Sequence, residues 1–160
     1  MTVEHRIAAL LSGAGVPWER LEHPYADTAI GVAVARGTPL AMGAKSLVLK
    51  LDRGIGFAVL AVPGDQRLDN RRLRAHLGLR RYRFARPDEL LALTGLTPGC
   101  VPPFGHPVFD APIFVDSGLA SGQEVAFSLG SHTHSARMGT TDWLIAARPT
   151  DVFPFAAPVA

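Results

Sequence analysis

The sequence predicts a mixed α/β domain of the α+β kind, and three observations carry that reading. Segments of helical period are scattered among short segments of strand period, without the strict strand–helix repeat of a doubly wound sheet. Two apolar runs, 45–51 and 55–62, flank Asp52-Arg53-Gly54 and so read as a β-hairpin. A chain of 160 residues, 48% hydrophobic and 19% charged, suits one domain over 1–160 with a core of its own.

Each element has a local cause. Ile7, Leu10, Leu11 and Ala14 recur at helical spacing, and Gly13 and Gly15 signal the end of that first helix. Trp18 to Glu22 reads as a short strand before Pro24. Asp27 or Thr28 can cap a second helix that runs to about Arg36, before Gly37-Thr38-Pro39. After the hairpin, Pro63-Gly64-Asp65 stops the chain, and Asp69 can cap a helix with Leu73 and Leu77 on one face before Gly78. Arg81 to Phe84 reads as extended. Pro87 in a first turn, with Asp88 and Glu89 against the positive helix end, predicts a helix to about Leu93. Glycines and prolines from Thr94 to Pro112 exclude regular helix there. Short strands follow at 113–115, 125–129 and 134–138, with a turn or short helix over 117–121. Thr140 or Thr141 caps a last helix through Ala147.

Composition removes several function classes. The first residues lack the basic stretch and apolar run of a signal peptide, and no apolar run reaches the 18 or so residues that cross a bilayer. The expected location is the cytoplasm, with no membrane partner. The single Cys100 cannot form an internal disulfide or a clustered zinc site. No phosphate-binding loop, dinucleotide fingerprint or serine-hydrolase elbow is present, and no cofactor or metal is predicted.

The net charge of +2 hides an asymmetry. Of 14 Arg, eight lie between 67 and 86, with Asp69 the only acid among them. Such a field attracts a polyanion, and Arg71, Arg72 and Arg74 are the candidate contacts to a phosphate backbone; a solvated helix face is the alternative.

Three further places could carry chemistry. Lys45, one of two lysines, starts an apolar strand, where it either snorkels at an edge or binds phosphate or an ester oxygen. The segment Gly99-Cys100-Val101-Pro102-Pro103-Phe104-Gly105-His106-Pro107 permits close backbone approach and free N–H groups for an oxyanion. Its Cys100 and His106 are the residue types of a thiol nucleophile pair, although their spacing implies no contact and packing is the better reading of Cys100. His132-Thr133-His134, if extended, places two imidazoles on one face, with Asp116 or His106 as a conceivable third metal ligand. One polar functional His, or ordinary hydrogen bonding, fits the pattern better.

The ordered set of motifs resembles the YbaK/ProX family of aminoacyl-tRNA deacylases, also found as an insertion domain of bacterial prolyl-tRNA synthetases. The residues that carry it are Ala44-Lys45-Ser46-Leu47-Val48-Leu49, Gly99-Cys100-Val101-Pro102-Pro103 with Phe104-Gly105, Phe114-Val115-Asp116, and Phe127-Ser128-Leu129-Gly130-Ser131. The resemblance implies a curved, barrel-like sheet with surrounding helices, and hydrolysis in trans of amino acids wrongly attached to tRNA. It makes Lys45 and Gly99 the catalytic residues, Lys45 at the terminal adenosine and Gly99 as a backbone donor to the substrate carbonyl. Pro103, Gly130 and His132 become substrate-binding residues. It also implies aminoacyl-tRNA as partner, allows an aminoacyl-tRNA synthetase as another, and needs neither metal nor cysteine nucleophile. The residues around Cys100 and His132 depart from many relatives and bear on which amino acid, a small one, is removed. A noncatalytic tRNA or synthetase binding module with the same fold is the alternative, and hydrolysis of small esters or amides a third reading.

Overall fold

The computed structural model describes residues 1–159, and local chemistry accounts for its helices. Helix α1 (Val3–Ala14) is capped by Thr2, whose hydroxyl accepts from the His5 N–H, and ends at Gly15 with φ 69°. Helix α2 (Ala29–Arg36) is capped by Thr28 and ends at Gly37, φ 71°. Asp69 caps α3 (Asn70–Leu77), and Pro87 opens α4 (Pro87–Thr94). The short α5 (Ser117–Ala120) and α6 (Thr140–Ala147) complete the set. Thr140 is the first residue of α6 and not its cap; Gly139 holds the cap position without a side-chain bond.

The hairpin is present as β2 (Ala44–Leu51) and β3 (Gly56–Pro63), in a register that pairs Lys45 with Val62 and Leu51 with Gly56. It forms the middle of a five-stranded sheet. On one side β2 pairs antiparallel with β5 (Tyr82–Phe84). On the other, β3 pairs in parallel with β6 (Ile113–Asp116), and β6 in parallel with β9 (Asp151–Phe153). A second, antiparallel sheet has the order β1 (Glu19–Glu22), β8 (His134–Gly139), β7 (Glu124–Ser128). A two-stranded ribbon joins β4 (Gln66–Leu68) to β10 (Ala156–Pro158).

The central sheet is covered on both faces, which explains why β3 is an unbroken apolar run and not an alternating one. Val48, Val59 and Ala61 point into a core with Ile7, Leu11, Phe104, Phe127 and Trp143. Leu49, Leu60 and Val62 point to the opposite core, with Leu73 of α3 and with Phe114, Phe153 and Phe155.

The mixed α/β class therefore holds, and the barrel-like curvature is corrected. The strand order leaves β5 and β9 as edges of the central sheet and β1 and β7 as edges of the second, so the sheets stay open. The proline-rich loop is also unlike a surface connection: Val101 to Gly105 are buried, and the close approach at Gly105 leaves no room for a Cβ, which would lie 2.5 Å from the Ala111 carbonyl. No described helix is long and apolar enough to cross a membrane.

Candidate functional site

A cavity of about 150 Å³ opens between α2, the start of β2, the Gly99 loop and the end of β7. Lys45, Gly99, Val101, Ser128, Asp27 and Arg36 are among the residues lining it. Two of the sequence candidates, Lys45 and Gly99, thus meet although they come from opposite ends of the hairpin–loop segment.

Lys45 reaches across from β2 to β4, where its ammonium donates to the Gln66 carbonyl. Partial burial lowers its pKa from the usual lysine value, and the Asp65 carboxylate works in the opposite direction. The ammonium is thus anchored by one neutral acceptor, with donors left for a ligand.

Gly99 adopts φ +86°, a conformation that L side chains rarely take. A Cβ there would lie 3.5 Å from His132 Cε1 and 3.8 Å from the Asp27 carbonyl. Both are ordinary contact distances, so the backbone conformation and not crowding is what requires glycine here. The Gly99 carbonyl accepts from Ser128 Oγ at 3.4 Å.

The second cation of the cavity is Arg36, at the last turn of α2. Its Nε donates to Ser135 Oγ at 2.8 Å, and one terminal nitrogen donates to Ser128 Oγ at 3.4 Å. Ser128 and Ser135 are directly opposite on β7 and β8, so their hydroxyls form a two-point cradle. Burial pulls the Arg36 pKa well below the usual guanidinium range, to about 10. Among the described residues no carboxylate pairs with it.

Residues 23–145 match the family described as the aminoacyl-tRNA editing domain. The chain belongs to this family. It is 36% identical over 151 residues to the "Multifunctional Ser/Thr-tRNA deacylase ProXp-y" of Escherichia coli K12, covering 90% of this chain and 87% of that one. A "Proline--tRNA ligase" of Staphylococcus saprophyticus is 33% identical over 99 residues, which is 62% of this chain and 16% of the ligase. Among solved structures, a protein proposed as a trans-editing enzyme for prolyl-tRNA synthetase superposes with a TM-score of 0.82 at 26% identity, over 98% of each chain.

Other candidates of this editing domain lie elsewhere. Pro103 is buried off the cavity, and its carbonyl accepts from the Trp143 indole N–H at 3.0 Å. Gly130, φ +95°, lines a separate groove with Val3 and Leu96, because the chain turns toward α1 there. His132 stands behind Gly99 and not on the cavity wall: its Nε2 lies 3.2 Å from Cys100 Sγ and its ring 4.8 Å from that of Tyr25. Cys100 therefore meets His132, whereas His106 is exposed and 3.7 Å from Asp110. His134 turns away to Ser131 and Thr133, since the strand begins only at His134 and the shared face is lost. Among the described residues no three His, Cys, Asp or Glu side chains are grouped to hold a metal ion. Asp116 is spent on the backbone, accepting from Gly118, Phe155 and Ala156 N–H groups.

Arg71, Arg72 and Arg74 are exposed on α3, which begins just beyond the β4 residue that anchors Lys45. Arg72 already faces Asp69 at 3.6 Å. The sequence reading missed Arg36, Asp27 and Ser128 as cavity residues. The Thr28 cap and the helical spacing after it could have placed Asp27 and Arg36 at the two ends of α2, but nothing local shows that Arg36 turns inward.

Proposed function

We propose that this editing domain is an aminoacyl-tRNA deacylase acting in trans on the ester between a small amino acid and the 3′-terminal ribose. The observation that carries it is the meeting of Lys45 and Gly99 on one small cavity in a chain of this family. The name of the E. coli relative favours serine and threonine as the amino acids removed.

In this mechanism Lys45 fixes the terminal nucleotide. Gly99 places the ester carbonyl against the loop backbone. Among the described residues the N–H groups of Gly99 and Val101 have no acceptor, whereas that of Cys100 is bound to the Thr97 carbonyl. The free N–H groups are the donors proposed for the tetrahedral oxyanion. Water adds to the carbonyl carbon, the ester C–O bond breaks, and the ribose oxygen leaves with the proton the water gives up. A hydroxyl of the substrate relays that proton. Asp27, the one carboxylate on the wall, holds the α-ammonium group.

The test is release of labelled amino acid from a panel of correctly and incorrectly charged tRNAs, with Lys45→Ala and Gly99→Ala beside the unaltered protein. The expected result is release from a narrow subset that both variants lose. A folded protein that binds tRNA and releases nothing would make this a binding module, and release from free aminoacyl esters alone would make it a small-ester hydrolase.

A further inference from the structure

We propose that Arg36 is a phosphate-binding residue of the cavity, which grips the phosphate attached to the terminal nucleoside. The inference rests on the deacylase reading and extends it to a residue that neither the motifs nor the resemblance singled out.

An arginine at the last turn of a helix is ordinarily a solvated partner of the helix dipole. Arg36 instead folds inward and hydrogen-bonds the fully buried Ser135. A guanidinium removed from water without a carboxylate is costly to keep, and the depressed pKa is the mark of that cost. The compensating anion then arrives with the ligand.

The hydrogen-bond network leaves one edge of the guanidinium for it. His23 Nδ1 faces the Pro24 carbonyl at 3.0 Å, which can only accept, so Nδ1 carries the proton. His23 Nε2 is then the acceptor for the Ser135 hydroxyl at 2.8 Å, and Ser135 in turn offers its lone pair to Arg36 Nε. With Nε and one terminal nitrogen held by Ser135 and Ser128, the other terminal nitrogen, Nη1, has no acceptor among the described residues. It lies 3.5 Å from where a Cβ on Gly43 would be, at the approach to Lys45. A fixed fork with an open nitrogen, in a cavity that an ammonium also lines, matches a phosphate.

The opposite end of α2 carries Asp27, whose carbonyl lies beside Gly99. Arg36 and Gly99 share Ser128, whose Oγ accepts from the guanidinium and donates to the Gly99 carbonyl, each at 3.4 Å, so the guanidinium stands next to the ester-binding loop, with Lys45 and Asp27 lining the same cavity. An aminoacyl nucleotide carries a cationic amine, an ester and a phosphate, and the cavity offers a carboxylate, a backbone loop and two cations to meet them.

The experiment measures binding of 5′-AMP and of adenosine by calorimetry, with steady-state deacylation of the charged tRNA in parallel. Arg36→Gln should weaken 5′-AMP by about tenfold or more, the usual range for a charge-assisted bond, and leave adenosine unchanged. KM for the charged tRNA should rise by a similar factor with kcat little altered, and Arg36→Lys should recover part of both losses. Ser128→Ala, which keeps the charge but removes one point of the cradle, should weaken 5′-AMP by a smaller factor and serves if Arg36→Gln does not fold. Equal 5′-AMP affinity in folded Arg36→Gln, no preference of the unaltered protein for 5′-AMP over adenosine, or a fall in kcat alone would overturn the proposal. Arg36-dependent 5′-AMP binding without any deacylation would sink the deacylase reading and leave the phosphate site standing.

Discussion

The indole N–H of Trp143 donates to the carbonyl of Pro103 at 3.0 Å, and both groups are shut away from solvent. This bond ties the loop that carries Gly99 to α6, on the far side of the core. Trp143→Phe leaves the carbonyl without a donor and a void beside it. The unpaired acceptor alone costs about 1–3 kcal/mol, and the void adds to it. Thermal unfolding should report a Tm lowered by roughly 2–4 °C for each kcal/mol. An unchanged Tm would mean that the loop is held by other contacts.

Asp116 serves three backbone N–H groups at once, those of Gly118, Phe155 and Ala156, at 2.9 to 3.0 Å. The conserved-charge variant Asp116→Glu cannot keep that geometry, but the clearer contrast is between Ala and Asn. Asp116→Ala strands all three donors and should cost at least about 3 kcal/mol. Asp116→Asn keeps one carbonyl oxygen, enough for the two donors that share Oδ1, and should cost less than half as much. Denaturant unfolding of the two variants checks the order; equal losses would show that the negative charge and not the acceptor geometry matters.

The arginine patch gives a prediction in solution. Arg71 has no ion-pair partner among the described residues, whereas Arg72 faces Asp69. If α3 follows the acceptor stem, Arg71→Ala should lower the slope of log Kobs against log[salt] for tRNA binding by about 0.7–0.9, the value for one phosphate contact. Arg72→Ala should lower it less. Unchanged slopes in both variants would remove α3 from the tRNA contact surface.

What could be read from the sequence divides along physical lines. Helices with a cap and a left-handed glycine stop, such as α1 and α3, were legible because their signals are local. So was the β2–β3 hairpin, and with it Lys45. The strands β4, β9 and β10 were not, since each has three residues and is defined by its partner and not by any period of its own. The cavity divides in the same way. Gly99 announces itself by its loop, but Arg36 turns inward only because Ser128 and Ser135, 92 and 99 residues later, pair across two strands. Gly130 and Pro103 lie off this cavity for the converse reason: their motifs mark a turn beside a separate groove and a buried loop segment.

A last prediction concerns acid. The Glu89 carboxylate accepts from both terminal nitrogens of Arg83, at 2.7 and 3.0 Å, and then from the Arg86 N–H at 2.9 Å, at the start of α4. The Arg83 fork first, and the backbone bond second, hold its pKa at about 2 against an ordinary 4.5. A carboxyl whose pKa falls on folding binds fewer protons in the folded state than in the unfolded one. Its contribution to stability is therefore complete above pH 4.5 and disappears as the pH falls from there through about 2. Glu89→Gln has no such proton to take up. In urea unfolding at a series of pH values, the gap between the unaltered protein and Glu89→Gln should be widest near neutrality and close across that window. A gap that stays constant down to the lower end would show that the Arg83–Glu89 pair acts through shape and not through charge.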